Sequence, residues 1–353
     1  MLAFGAEGRR RGPEVDPDVD QYVDADSHFV AVVVPCYRVS RQILDLLSRI
    51  GPECSSIFVV DDACPEGSGR IVETRCRDPR VKVIYHAQNL GVGGAVMTGY
   101  RAALGIGARV IVKLDGDGQM DPRLLGHFVA PILAGEADYT KGNRFYDLRN
   151  LGDMPPLRIF GNALLSFLAK LSTGYWNVFD PTNGYTAVHA SVIGRLPLER
   201  ISARYFFETD MLFRLNTIRA VVRDIPMDAR YGDEESSLRI SRVSGEFLVK
   251  HLRNFAKRVF YSYFLRDFSI ASLELCAGSA LALFGILFGS YQWAISVQQD
   301  RVATTGTVML AALPLLVGVQ YLLAFLSFDT RSMPSEPIHP RIAAPDPGRA
   351  QGI

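Results

Sequence analysis

The chain has 353 residues, 48% of them hydrophobic, with 38 Lys and Arg against 37 Asp and Glu. A net charge of +1 provides no global field for a nucleic-acid binder. Five cysteines, an odd number with no CxxC pair, point to a reducing compartment and away from a disulfide framework or a zinc site.

Residues 1–27 read as a loose polar tail, with Pro and Gly and no apolar run of the secretory kind. From Phe29 to about Lys141, short apolar runs alternate with segments of helix length. "FVAVVVP", "SIFVVDD", "VKVIYH", "ARVIVKLDGDG" and "ADYTKGNR" read as strands. Between them, Arg41–Ile50, Gly69–Arg77, Gly94–Leu104 and Pro122–Ala134 read as helices. Nearly continuous apolar strands alternating with helices predict an α/β domain, its mostly parallel sheet covered on both faces. Further on, "LRIFGNALLSFLAKLSTG" and "RYFFETDMLFRLNTIR" read as helices, "VFDPTNGYTAV" as the loop between them and "AVVRDIPM" as a late strand.

The C-terminal third changes character. Leu275–Val297 and Val302–Phe328 carry no charge, and each is long enough to cross roughly 30 Å of hydrocarbon. The short link between them makes a transmembrane hairpin with both ends on one side. Arg253, Lys257, Arg258 and Arg266 precede it and Arg331 follows, which puts those flanks and the catalytic-looking domain in the cytoplasm. Just before the hairpin, Leu248, Leu252, Phe255 and Val259 share one helical face, with Lys250, Arg253, Lys257 and Arg258 on much of the other. That pattern suits a helix lying in the membrane interface; a helix packed on the core with a solvated basic face would show it too.

Ligands of open α/β sheets bind beyond the carboxyl ends of the strands, so polar residues there are candidates. In "LDGDGQMDP", Asp115, Asp117 and Gln119 alternate, so an extended backbone would aim their oxygens the same way, a donor set suited to Mg²⁺ or Mn²⁺. DGDG is also good turn chemistry, and Asp121 before Pro122 reads as a helix cap. Asp61 and Asp62 end the second strand, where they either terminate it or bind a base or ribose. Asn89 and the glycines Gly91, Gly93 and Gly94 open the third helix; they form neither GxGxxG nor a P-loop.

Taken in order, "VVVPCYRVS", "VVDDACPEGSG", "NLGVGGAVMTGY" and "LDGDGQMDP" resemble family 2 glycosyltransferases of the GT-A fold. With "KGNRF", "DPTNGYTAV" and the hairpin, residues 29–330 resemble more narrowly the polyprenyl-phosphate glycosyltransferases. The resemblance implies a GT-A domain over 28–244, an amphipathic helix over 245–268, a hairpin over 269–330 and a loose tail over 331–353. It implies transfer, with inversion, from a nucleotide-diphosphate sugar to a polyprenyl phosphate in the bilayer, and it allows a homo-oligomer. Asp115, Asp117 and Gln119 would then hold Mg²⁺ or Mn²⁺ at the donor diphosphate. Pro35, Tyr37, Asp62, Asn89, Gly94 and Asp115 would line the nucleotide sugar, and Arg230 would close over it. Arg144 and Arg158 would clamp the acceptor phosphate through forked hydrogen bonds. Asp180, Asn183 and Gly184 would shape the acceptor side. The family's R-x-x-G-x-S spacing is interrupted here by acidic residues, Asp233 to Glu235.

A phosphate acceptor is already an anion near neutral pH and needs no strong base, whereas a hydroxyl acceptor does. Glu208 and Asp210 are the candidates for such a base; with a lipid phosphate as acceptor they read as structural. Two other functions compete. One is a GT-A transferase or processive synthase acting on a glycan hydroxyl, which the single hairpin and the missing QxxRW disfavour. The other is a membrane-anchored nucleotide-binding scaffold without turnover, which the intact DxD and Arg144 disfavour.

Overall fold

A computed structural model describes residues 29–146, 156–227 and 240–342. Seven strands form one sheet: β1 (Val30–Cys36), β2 (Ser56–Asp61), β3 (Val81–Tyr85), β4 (Val110–Lys113), β5 (Tyr139–Asn143), β6 (Thr186–His189) and β7 (Val222–Pro226). Their order is β3-β2-β1-β4-β6-β5-β7. β1 to β4 run parallel, β5 pairs parallel with β7, and β6 runs antiparallel to both β4 and β5. The sequence reading placed "TAVH" inside a loop. Four residues with apolar Ala187 and Val188 give too short a period to mark a strand, and the pairing partners that make β6 are distant in sequence.

β1 is buried at every position because both faces of the sheet are covered. Ala31 and Val33 face one core with helices α3 (Val92–Gly105) and α7 (Phe207–Thr217); Val30, Val32 and Val34 face the other with α1 (Ile43–Ser48), α2 (Ser68–Arg75) and α4 (Leu125–Leu133). This alternation is the period of two expected of a strand. A Cβ at Gly99 would run into Val33, so the missing side chain lets α3 lie directly on β1. The chain builds β1, β2 and β3 outward, then returns to place β4 on the other side of β1. That reversal opens a crevice at the carboxyl ends of β1 and β4. It is the topological reason the site lies where it does.

Helix α5 (Pro156–Thr173) packs against α8 (Ile240–Phe260), and a π turn at Tyr261–Arg266 leads into the hairpin of α9 (Ile270–Gln299) and α10 (Thr305–Arg331). The short α6 (Ala190–Ile193) follows β6. Both hairpin helices are long and apolar enough to cross a membrane. Small residues line their contact: a Cβ on Gly318 would lie 2.5 Å from the Ala282 nitrogen, and one on Gly285 would lie 2.8 Å from the Ala311 carbonyl. Such residues let backbones approach where lipid supplies no hydrophobic drive between helices. The outward positions Leu283, Leu287, Leu313 and Leu316 are apolar and exposed, as lipid-facing residues are.

The expected apolar stripe of α8 divides. Phe255 and Val259 pack against the hairpin, whereas Leu248 and Leu252 stay exposed beside Val249. Arg258, read as part of the basic face, is only 2% exposed and forks onto Asp329 of α10 at 2.6 and 3.0 Å. Asp329 also accepts hydrogen bonds from Tyr263 Oη (2.6 Å) and Trp176 Nε1 (3.0 Å), while Arg258 donates to the Leu171 carbonyl. The hairpin is thus fastened to the α/β domain by a buried, fully bonded charge pair.

The segment 332–342 does not behave as the loose tail expected from 331 onward. Arg219 donates to the Ser332 carbonyl, and the Ile338 and His339 N–H groups donate to Asp138. His339 Nδ1 lies 2.8 Å from the same carboxylate, and its ring stacks on His189 at 4.4 Å. No local pattern in the sequence announces this docking, because its partners lie some two hundred residues earlier.

Candidate active site

The acidic turn begins where β4 ends. Lys113 is the last strand residue; the chain remains open through Asp115 and turns at Gly116 and Asp117. Gly118 has φ +75°, a value glycine adopts without strain, and the Gln119 N–H closes back on Asp117 Oδ1 at 3.0 Å. The extended geometry supposed for Asp115, Asp117 and Gln119 therefore gives way to a compact turn. The turn sits in the crevice between strands: a Cβ on Gly116 would lie 3.0 Å from the Pro35 carbonyl. The turn therefore stands beside Pro35 at the carboxyl end of β1, at the switch point, and the exposed Tyr37 follows that strand.

Beneath the turn lies a charged cluster absent from the sequence reading. Lys113 Nζ is 2.6 Å from Asp115 Oδ1 and 3.6 Å from Glu208 Oε1. Lys141 of β5 is also buried, and its ammonium donates to the Asn183 carbonyl. Burial lowers the Lys141 ammonium and raises the Glu208 carboxyl; for Lys113 burial pulls down, but Asp115 and Glu208 together push its pKa up. The one sequence signal was a lysine inside each of two apolar strand runs, "VIVK" and "YTK". Gly184 leaves room for the contact, since a Cβ there would collide with both Asp115 Oδ2 and the Lys113 ammonium.

Asp61 and Asp62 serve the architecture first. Asp61 accepts the Cys64 and Gly69 N–H groups, both at 2.7 Å, which fixes the turn into α2. Asp62 accepts the Leu90 and Gly91 N–H groups, both at 2.8 Å, and meets His86 Nδ1 at 2.7 Å. Asn89 donates to the Asp62 carbonyl at 3.2 Å. The glycines after it serve close packing within the chain. A Cβ on Gly91 would lie 2.6 Å from the Ala203 carbonyl, one on Gly93 2.6 Å from Phe207 Cβ, and the Gly94 N–H donates to Ala203 at 3.0 Å. They seat the start of α3 against the start of α7 and so bring Glu208 under the acidic turn. Asp210 is spent on the Ser202 N–H (2.9 Å) and Asn254 (3.2 Å).

On the other side of the crevice Arg144 forks onto the buried Asp180, at 2.7 and 3.1 Å. Asn183 Nδ2 reaches Asp180 at 3.4 Å while its Oδ1 accepts the Tyr185 N–H. Phe179, beside Asp180, accepts a hydrogen bond from Ser166 of α5. Asp224 Oδ2 accepts the Phe179 N–H (2.9 Å) and Asn143 Nδ2 (3.2 Å), but its Oδ1 is buried without a partner. Burial pushes the Asp224 carboxyl up to about 6. A carboxyl raised in the fold contributes stability below its unfolded value near 4, and that contribution is lost as pH rises through about 6. Asp224→Asn is therefore expected to raise stability relative to wild type by about 3 kcal/mol at pH 8 and by about 1 kcal/mol at pH 4.5. Melting curves at the two pH values check this; an equal shift at both would be the wrong result.

A model of glycosyl transferase family 2 matches residues 31–196. The undecaprenyl-phosphate mannosyltransferase of Micrococcus luteus is 30% identical over 203 residues, which are 56% of this chain and 82% of that one. The chain belongs to glycosyl transferase family 2. Its family 2 relatives also include the polyprenol monophosphomannose synthase of Mycolicibacterium smegmatis, 27% identical over 61% of this chain and 80% of that one. The Methanococcus voltae UDP-N-acetylglucosamine–dolichyl-phosphate N-acetylglucosaminyltransferase is 26% identical over 57% and 86%. Among solved structures, glucosyl-3-phosphoglycerate synthase of Mycobacterium tuberculosis with Mn²⁺, UDP and glucosyl-3-phosphoglycerate has a TM-score of 0.52. It is 16% identical over 70% of this chain and 86% of that one, which shows the shared GT-A-like fold.

The protein is thus a glycosyltransferase whose sheet is followed by two apolar helices able to span a membrane. Among the described residues of this family 2 transferase, no three His, Cys, Asp or Glu side chains gather as a metal cage. The donor set nonetheless fits Mg²⁺ or Mn²⁺. These ions take one or two carboxylates plus substrate phosphates, and Asp115 and Asp117 are partly exposed at the crevice. Arg158 lies on α5 with its side chain outside the described part of the structure, and Arg230 lies outside the described residues altogether.

Proposed function

We propose that the protein transfers a sugar, with inversion, from a nucleotide-diphosphate sugar to a polyprenyl phosphate. The observation that carries this reading is the tether between the acidic turn's neighbour Arg144 and the membrane hairpin. Arg144 grips Asp180, the adjacent Phe179 is bonded by α5, and α5 is bonded to α8 through Ser172–His251 (2.8 Å) and Arg258–Leu171 (2.9 Å). An arginine held by Asp180, on elements fastened to a membrane anchor, suits a phosphate presented by a lipid. The relatives named for polyprenyl or dolichyl phosphate support the same acceptor.

In this reading Pro35 and Tyr37 line the nucleotide, and Asp62 and Asn89 set the loop beside it. Asp115, Asp117 and Gln119 would hold Mg²⁺ or Mn²⁺, which when bound offsets the charge of the donor diphosphate. Arg144 binds and orients the acceptor phosphate, its guanidinium held by Asp180 and Asp180 in turn by Asn183; Arg158 would join it at that phosphate, and Arg230 would close over the donor diphosphate. The phosphate attacks as an anion, so no side chain needs to take its proton. Glu208, enclosed beside Lys113, and Asp210, bonded to Ser202 and Asn254, then stay out of the proton chemistry. The GT-A domain spans 28–244 and, with the basic flanks of the hairpin, faces the cytoplasm.

Membranes carrying the protein, given UDP- and GDP-sugars, short polyprenyl phosphates and Mg²⁺ or Mn²⁺, are expected to form a glycosyl lipid phosphate. Transfer to a sugar hydroxyl but never to the lipid phosphate would overturn the reading.

A further inference from the structure

The sheet carries a buried row of charge that the proposed reaction does not use directly. Thr186 of β6 stands opposite Lys113 of β4 on one side and Lys141 of β5 on the other. Directly opposed residues project to the same face of a sheet, so the three form one row across the middle of the domain. Glu208 comes down on this row from α7, and Asp115 meets it from the turn above. Two ammoniums, both buried, thus face the enclosed Glu208 and the partly exposed Asp115. Such an arrangement is rarely cheaper than apolar residues of the same volume. The neighbours of Lys113 along β4, Val110, Ile111 and Val112, show what the core would otherwise select. The ammonium must therefore be explained by what it does to Asp115.

We propose that Lys113 is a positioning residue that makes cation binding at the Asp115–Asp117 turn conditional on the donor diphosphate. The proposal rests on the metal-dependent reading given above. Lys113 already compensates one oxygen of Asp115 and holds it in place, with Gly184 leaving room for the contact. A divalent cation arriving alone meets a neutralised carboxylate with an ammonium behind it. A diphosphate brings the missing negative charge and is itself favoured by that ammonium. Cation and nucleotide then tighten each other by the same factor, as linkage requires. Glu208 acts with the opposite sign: it offsets Lys113 and keeps the turn from rejecting the cation outright.

The two residues therefore predict shifts in opposite directions. The measurement is free Mn²⁺ by electron paramagnetic resonance, on the full chain in detergent, with no nucleotide, with UDP and with GDP. In the wild type, one of the nucleotides is expected to tighten Mn²⁺ about tenfold or more. Lys113→Met is expected to tighten Mn²⁺ alone by about tenfold and to shrink the effect of the nucleotide. Glu208→Gln is expected to weaken Mn²⁺ alone by a similar factor while the nucleotide still rescues it. A role in packing alone would move both variants the same way. Shifts of the same sign, or none in variants that melt cooperatively, overturn the proposal and leave the transferase reading standing. If Lys113→Met does not fold, Lys113→Gln, which keeps a polar group beside Asp115 without the charge, gives the same test with the same expected sign. A wild type that binds Mn²⁺ with neither nucleotide overturns both.

Discussion

Asp329→Asn is expected to cost about 3–5 kcal/mol of stability, the largest structural effect of any single substitution at the boundary between domain and hairpin. The change keeps the volume and removes only the charge. It leaves the Arg258 guanidinium, 2% exposed, without its counter-ion, and weakens the acceptor for Tyr263 and Trp176. Removing one partner of a buried pair is costly because the other remains desolvated and unpaired. Removing both is far milder. The double variant Arg258→Met/Asp329→Asn, which removes both charges and keeps an amide oxygen for Tyr263 or Trp176, should therefore recover part of the loss. Thermal unfolding of the three proteins in detergent checks this. A single variant as stable as wild type would mean that water reaches Arg258.

Asp117→Ala is expected to lower turnover by about 10²–10³-fold or more with the fold retained. Asp117 is partly exposed on a turn, where its carboxylate accepts the Gln119 N–H at 3.0 Å. Its loss should shift melting little. Asp115→Ala should be as inactive but less stable, because it also strips the buried Lys113 of its nearest counter-charge at 2.6 Å. Comparing melting and turnover for the pair separates chemistry from support. Retained turnover in Asp117→Ala would remove that residue from the site.

The strands that carry the crevice were legible because each is a short β-branched run ended by Pro or Asp, and burial on both faces leaves few other readings. β6 was not, since antiparallel insertion between β4 and β5 depends on pairing rather than on composition. The acidic turn was found by its spacing, although its backbone turns where an extended run was supposed. Arg258 was misplaced on the outward basic face of an interfacial helix because helical spacing reports which residues share a side, not what that side meets. Lys113 and Lys141 escaped notice for the opposite reason. A lysine within an apolar strand looks like an end or an exception until its carboxylate partners, supplied by a turn and a helix distant in sequence, are in place.

The docking of residues 338–339 on Asp138 bears on how the protein is made. Asp138 is fully buried, and Ile338 and His339 supply most of its hydrogen-bond donors, the Val221 N–H being the other. Those residues leave the ribosome only after both hairpin helices. Until then the start of β5 holds an acid short of its donors. The last step in assembling the catalytic domain therefore waits on synthesis of the apolar hairpin, and a protein cut before it would carry its sheet to completion without the final clasp.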